Sequence, residues 1–161
     1  MNSIPRHTNR GRGTDRPLVS VCMVTYNHEK YLAEAIEGVL AQKTSFGVEL
    51  CLGEDCSTDE TRKVCEHYAK KYPECIRLFL RQEKDKIYIS GRKTGRYNTR
   101  ETLKSTRGEY VAMCEGDDYW TDPNKLQKQV DFLETNPHYS ASVHRARVVS
   151  EDPGWKEEIF P

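Results

Sequence analysis

VSVCMVT, residues Val19 to Thr25, is the stretch whose reading sets the fold. Val19, Val21, Cys22, Met23 and Val24 make it nearly continuous in apolar side chains, and it is rich in β-branched residues. A strand with water on one face alternates polar and apolar residues; a strand covered on both faces does not. The run therefore predicts a central strand of a mostly parallel sheet with helices packed on both sides, a three-layer α/β/α sandwich. Tyr26 and Asn27 follow it directly. Tyr31, Leu32, Ala35, Ile36, Val39 and Leu40 then recur at helical spacing, with Asn27 offering the cap.

The same alternation of strand and helix continues outward. Val48–Leu52 (VELCL) reads as a second strand. Ser57-Thr58-Asp59-Glu60 has the form of a capping box, with Ser57 as cap and Glu60 reaching back. Val64, Cys65, Tyr68 and Ala69 form the inner face of the helix it opens, and Pro73 lies beyond that helix's end. Ile76–Leu80 (IRLFL) is a third strand. Residues 81–97 are polar, carry Gly91 and Gly95, and read as one long loop. A short helix is expected over Thr99–Thr106 with Leu103 as its anchor and Gly108 as its C-terminal cap. Tyr110–Cys114 (YVAMC) is a fourth strand. Asp122-Pro123 starts a helix with Leu126, Val130 and Leu133 inside, which Asn136-Pro137 ends. Tyr139–Val149 reads as a fifth strand, with His144 alternating along it.

The flanks differ. Residues 1–16 have almost no apolar content and several arginines, and read as a disordered basic lead-in. The folded domain is expected over 17–150, and the tail 151–161 has no pattern of its own. With 161 residues, one domain with a sizeable core is the expectation. Lys plus Arg and Asp plus Glu both number 25, so no net charge argues for nucleic acid or an anionic membrane as the main partner. No apolar run reaches the ~18 residues a membrane-spanning helix needs. The six cysteines form no CxxC pair. Cys22, Cys51 and Cys114 lie in apolar runs, as small hydrophobes do. A reduced, cytoplasmic setting follows, with peripheral contact at the inner membrane face left open.

In parallel α/β sheets, ligands bind beyond the carboxyl ends of the strands. Strand one is followed by Thr25-Tyr26-Asn27, strand two by Gly53-Glu54-Asp55, and strand four by Glu115-Gly116-Asp117-Asp118-Tyr119-Trp120. Five carboxylates are thus expected along one edge. Carboxylates crowded together repel, so a compensating cation is expected. Oxygen donors suit Mg²⁺ or Mn²⁺, which bind through one or two carboxylates plus substrate phosphates. The implied ligand is a metal-bound phosphate or diphosphate. Tyr26 offers an aromatic face to a base, and Asp55 an acceptor to a base or ribose. No GxxxxGK[ST] and no GxGxxG follows the first strand, which argues against P-loop and Rossmann sites. Gly91-Arg92-Lys93-Thr94-Gly95-Arg96 is a basic segment able to close over a diphosphate.

Three blocks, VSVCMVTYNHEKYLAEAIEGVLAQ, LCLGEDCSTDET and RGEYVAMCEGDDYWTDPNKLQKQVDFLETNP, together spanning Val19–Pro137, resemble the family 2 glycosyltransferases, whose fold is GT-A. EGDDYW is the most specific, resembling the family's acidic metal-binding motif in context and order. The resemblance implies a divalent metal, Mn²⁺ or Mg²⁺, a nucleotide-diphosphate sugar donor, often UDP-linked, and transfer to an acceptor hydroxyl with inversion. The acceptor would be a glycan or a lipid-linked sugar, as in cell-surface polysaccharide synthesis. Carried over by position, the Thr25-Tyr26-Asn27 turn and Asp55 would meet the nucleoside, with Glu54 beside them. Asp117 would lie by the ribose or diphosphate. Asp118 would be the main metal ligand, with Asp117 and with Glu115 at the first acidic position. Arg96 aligns with a basic residue of the family's middle region. Val24 stands where the family often has Pro. The family's general base lies downstream of the acidic motif, so it and the acceptor half are expected beyond Pro161. A module that binds the nucleotide-sugar without turning it over is the alternative reading.

Overall fold

The structure, a computed structural model, describes residues 16–150 and 158–160. The basic lead-in over 1–15 lies outside the described residues, as do 151–157 and 161 of the tail. Four parallel strands form the main sheet in the order β3-β2-β1-β6. These are β1 (Val19–Thr25), β2 (Val48–Glu54), β3 (Ile76–Leu80) and, past a small hairpin of β4 (Ile87–Ile89) and β5 (Arg92–Thr94), β6 (Tyr110–Met113). β1 and β2 run in register from Val19 opposite Val48 to Thr25 opposite Glu54. Both are buried along nearly their whole length, while β3 and β6 are partly exposed edge strands. The apolar continuity of VSVCMVT therefore reflects cover on both faces.

Helices α1 (Leu32–Leu40) and α2 (Thr61–Lys71) connect β1 to β2 and β2 to β3. Leu32, Ala35, Ile36, Val39 and Leu40 of α1 and Cys65 of α2 are buried with Val21, Met23, Leu50 and Leu52 in one core. Helix α3 (Arg96–Lys104) covers the other face of the sheet. Gly53 makes this close approach possible, since a Cβ there would lie 2.2 Å from Thr102 Oγ1 and 2.5 Å from Asn98 Oδ1. Its neighbour Glu54 points the opposite way, to Arg62 of α2. Successive side chains of a strand face opposite sides, so this pair defines the two helical layers.

Several local readings change. Asn27 does not cap α1. It sits at φ 56° and its Oδ1 accepts from the Thr58 amide at 2.8 Å. Ser57 does not cap α2, which starts at Thr61; Asp59 Oδ1 accepts from the Thr61 amide at 3.0 Å, and Ser57 Oγ accepts from the Asn27 amide. Both side chains cross-link two loops instead, a partnership about 30 residues apart that local patterns do not reveal. Residues 81–97 are not one loop. A 3₁₀ turn at Glu83–Asp85 leads into the β4–β5 hairpin, whose two-residue turn, Ser90-Gly91, takes positive φ at both positions. α3 begins at Arg96 rather than Thr99. Asn98 and Thr102, not Leu103, are its buried residues, because their polar groups pair on the sheet.

The chain divides into two compact units, one up to Gln127 and one from Lys128. Helix α4 (Lys125–Thr135) begins in the first; Asn124 donates to Asp122 Oδ1 at 2.9 Å, which keeps Asp122 as its entry turn. The expected fifth strand over 139–149 shrinks to β7 (Ala146–Val148), paired antiparallel with β8 (Glu158–Phe160) in a sheet of its own. Tyr139 and Val143 are exposed, so the span lacks the buried face that would extend it. His144 is not a strand residue, and its Nδ1 lies 2.9 Å from the Arg145 carbonyl.

Candidate functional site

Two sharp turns leave the carboxyl edge of the sheet side by side. Asn27 (φ 56°) turns the chain after β1, and Cys56 (φ 59°) does so after β2. A left-handed backbone is uncommon outside glycine, and at Cys56 it is strained. The turns are held by each other. Asp55 N donates to Thr25 O at 3.0 Å, His28 N to Thr61 Oγ1 at 2.8 Å, and Glu60 N to Glu29 Oε2 at 2.9 Å. This lattice fixes Tyr26 and Asp55, which precede the two strained residues.

A cavity of about 660 Å³ opens here, lined by Thr25 at the end of β1 and Tyr26 just beyond it, by Asp55 of the turn after β2, by Glu115 after β6, and by Arg96 and Arg100 of α3. It lies where the sheet order reverses, since β2 and β6 flank β1 on opposite sides. That is the expected ligand position for an open parallel sheet. Tyr26 keeps 40% of its surface exposed and Asp55 only 4%.

Asp55 is matched by a cation. Lys86 Nζ lies 2.7 Å from Asp55 Oδ2, with side-chain exposures of 3% and 6%, and also donates to the Asp55 carbonyl oxygen. The same ammonium sits 4.2 Å from the Tyr26 ring centroid. Sequence reasoning missed Lys86, because the contact joins a polar hairpin to a turn about 30 residues earlier. It also missed Asn98, whose amide donates to Gly53 O at 2.8 Å and whose Oδ1 accepts from Arg81 Nε at 3.1 Å. The polar Asn98 and Thr102 at i,i+4 were the available signal, hidden by the search for an apolar stripe.

The acidic residues part company. Glu54 is fully buried and binds Arg62 Nε at 2.6 Å and the Ser57 amide at 2.6 Å, on the opposite face from the cavity. Its charge is met by Arg62. Glu115 lines the cavity. Asp117 is half-exposed, and its Oδ2 lies 3.6 Å from Nε2 of His28, a cavity residue read from sequence as an ordinary loop histidine. Asp118 closes the turn through its amide to Glu115 O at 3.1 Å. Asn27, Asp117 and Asp118 do not line the cavity wall. In the basic segment, Arg96 reaches the cavity, whereas Lys93 pairs with Glu83 at 2.5 Å on the hairpin.

The carboxylates of the Glu115–Asp118 turn are of the donor type that suits Mg²⁺ or Mn²⁺. Among the described residues, no three His, Cys, Asp or Glu side chains converge as a ready-made cage. Thr25 Oγ1 and His28 Nδ1 are buried with no hydrogen-bond partner among the described residues, and Gly116 packs against both. One or two carboxylates completed by substrate oxygens fit this donor set. Burial pushes the Cys114 thiol under the turn up to about 12.

Residues 20–160 match the sequence model of the family described as "Glycosyl transferase family 2". The chain belongs to glycosyl transferase family 2. An uncharacterized protein of Mycobacterium tuberculosis is similar, 42% identical over 143 residues, covering 89% of this chain and 39% of its own. S. aureus TarS 1-349, solved in complex with UDP, shares 26% identity with a TM-score of 0.58, over 74% of this chain and 32% of that one. The mannosyltransferase PcManGT from Pyrobaculum calidifontis, solved with GDP-Man and Mn²⁺, matches in fold with a TM-score of 0.60 at 22% identity, over 73% and 32% of the two chains. The family 2 chain thus has the α/β, GT-A type of fold, with parallel order β3-β2-β1-β6. It spans about two fifths of the mycobacterial relative. Among the described residues, no helix is long and apolar enough to cross a membrane.

Proposed function

We propose that this chain is the donor-binding part of an inverting glycosyltransferase that takes a nucleoside-diphosphate sugar, of the UDP type, and serves an acceptor hydroxyl on a glycan or lipid-linked sugar. The observation that carries the reading is the cavity at the β1/β6 switch point, with an open aromatic ring, a buried carboxylate and two arginines on its walls. Tyr26 offers its ring to the base. Asp55 accepts from an N–H of the base or an O–H of the ribose. Arg96 and Arg100, one helical turn apart at the start of α3, bring guanidinium charge toward the diphosphate. Asp118, with Asp117 or Glu115 of the same turn and the diphosphate oxygens, would hold a divalent cation, which when bound neutralises charge on the departing diphosphate. A nucleotide complex of TarS and a GDP-Man and Mn²⁺ complex of PcManGT support the class of donor and metal.

Titration calorimetry of UDP with and without Mn²⁺ tests the reading. Mn²⁺ is expected to strengthen UDP binding at least ~10-fold in the unsubstituted chain, and Asp118→Ala to remove that gain. Equal UDP affinity with and without Mn²⁺ contradicts the metal's place in the site.

A further inference from the structure

We infer that Lys86 is a positioning residue for the nucleoside, acting by holding the Asp55 carboxylate and the Tyr26 ring in one fixed arrangement. The inference rests on the reading that Tyr26 and Asp55 meet the base or ribose. An ammonium has three N–H donors. On Lys86 one goes to Asp55 Oδ2 at 2.7 Å, one goes to the Asp55 carbonyl, and the group lies 4.2 Å from the Tyr26 ring centroid. A lysine side chain only 3% exposed has no solvation left to explain its place. Its backbone is equally determined. Lys86 N donates to Glu83 O, closing a turn capped through Gln82 and Asp85. Beyond it, Thr94 Oγ1 ties β5 to Ile87 O, and Lys93 pairs with Glu83. The 82–94 segment is therefore a clamp that holds one ammonium against Asp55 and Tyr26, which line the cavity. The Asp55 carboxylate keeps acceptor capacity beyond its one bond from Lys86, and that capacity is what a nucleoside donor would use.

A charged hydrogen-bond partner of a buried carboxylate has a large effect when removed, and partners acting through one another are non-additive. At fixed Mn²⁺, calorimetry with UDP and with inorganic pyrophosphate should be run on the unsubstituted chain, Lys86→Met, Asp55→Asn and the double variant. Lys86→Met is expected to weaken UDP ~10-fold or more while pyrophosphate affinity stays within about two-fold. In the Asp55→Asn background, Lys86→Met should weaken UDP little further. Unchanged UDP affinity, a parallel loss of UDP and pyrophosphate, or fully additive losses would each overturn the inference. If Lys86→Met does not fold, Lys86→Arg takes its place. It keeps the charge but not the compact point of contact, and is expected to weaken UDP ~3- to 10-fold with pyrophosphate unaffected; no UDP loss overturns the inference. UDP binding lost in Asp55→Asn and Tyr26→Ala but kept in Lys86→Met defeats Lys86 alone. UDP binding indifferent to Asp55→Asn and Tyr26→Ala defeats the nucleoside reading beneath it.

Discussion

Glu54 and Asp55 are adjacent acids with opposite surroundings. The first is sealed on the α2 face with Arg62, and the second reaches the cavity with Lys86. Glu54→Gln is therefore expected to act on stability. It leaves Arg62 without its carboxylate, and should cost about 2–3 kcal/mol, toward the low end for breaking a buried pair because Arg62 is partly solvated. Urea denaturation measures this, and UDP affinity of the folded protein should stay within about two-fold. The buried thiols make a second residue-level prediction. Burial pushes Cys22 up to about 11, and Cys51, Cys65 and Cys114 up to about 12. The thiolate is the nucleophile, so these four should resist alkylation at pH 8 until urea unfolds the chain. Mass spectrometry of labelled peptides before and after unfolding would show it.

At the scale of elements, α3 is held on the sheet by polar pairs rather than by an apolar stripe. Asn98 bridges to Gly53 and Arg81, and Arg81 Nη2 reaches Thr102 Oγ1 at 3.2 Å. Its docking requires the bare backbone of β2 at Gly53. Gly53→Ala should destabilise by about 2–3 kcal/mol through overpacking. It should also weaken UDP and pyrophosphate together, since the displaced helix carries Arg96 and Arg100. Stability by urea and affinity by calorimetry check both halves; a variant as stable as the unsubstituted chain contradicts the packing argument. The turn from α3 into β6 is pinned by Glu49. Its carboxylate accepts from Ser20 Oγ at 2.6 Å and from Arg107 Nη2 at 2.7 Å. Burial pushes the Glu49 carboxyl up, and bonds from Arg107 and Ser20 outweigh it and hold it below the usual 4.5. The tie is intact above pH 4.5 and is lost as pH falls below it.

Across the whole molecule, ionisation limits stability at both ends of the pH scale. The buried thiols favour the neutral form in the folded chain, so their contribution is complete below pH 9, their unfolded value, and declines as pH rises toward 12. The urea midpoint should hold between pH 6 and 9, fall above pH 9 with the thiols, and fall below pH 4.5 with Glu49. Replacing Cys65 with Ala should reduce the alkaline part of that fall. An alkaline limb identical in the Cys65→Ala chain would remove the thiols from the explanation.

The sequence by itself determined the layered parallel sheet and which turns gather at its carboxyl edge. Those follow from short-range signals: an unbroken apolar run where a strand is covered twice, helical spacing, and the residues that leave each strand. Tyr26, Asp55 and Glu115 were legible as strand-end residues for that reason. Only the tertiary structure decided which acids face the cavity, that Asn27 and Ser57 join two loops rather than cap helices, and that Lys86 closes on Asp55. Those outcomes depend on strand pleat and on partners about 30 residues apart. A polar side chain does not carry the identity of its distant partner, so the pairing appears only when the sheet brings the loops together.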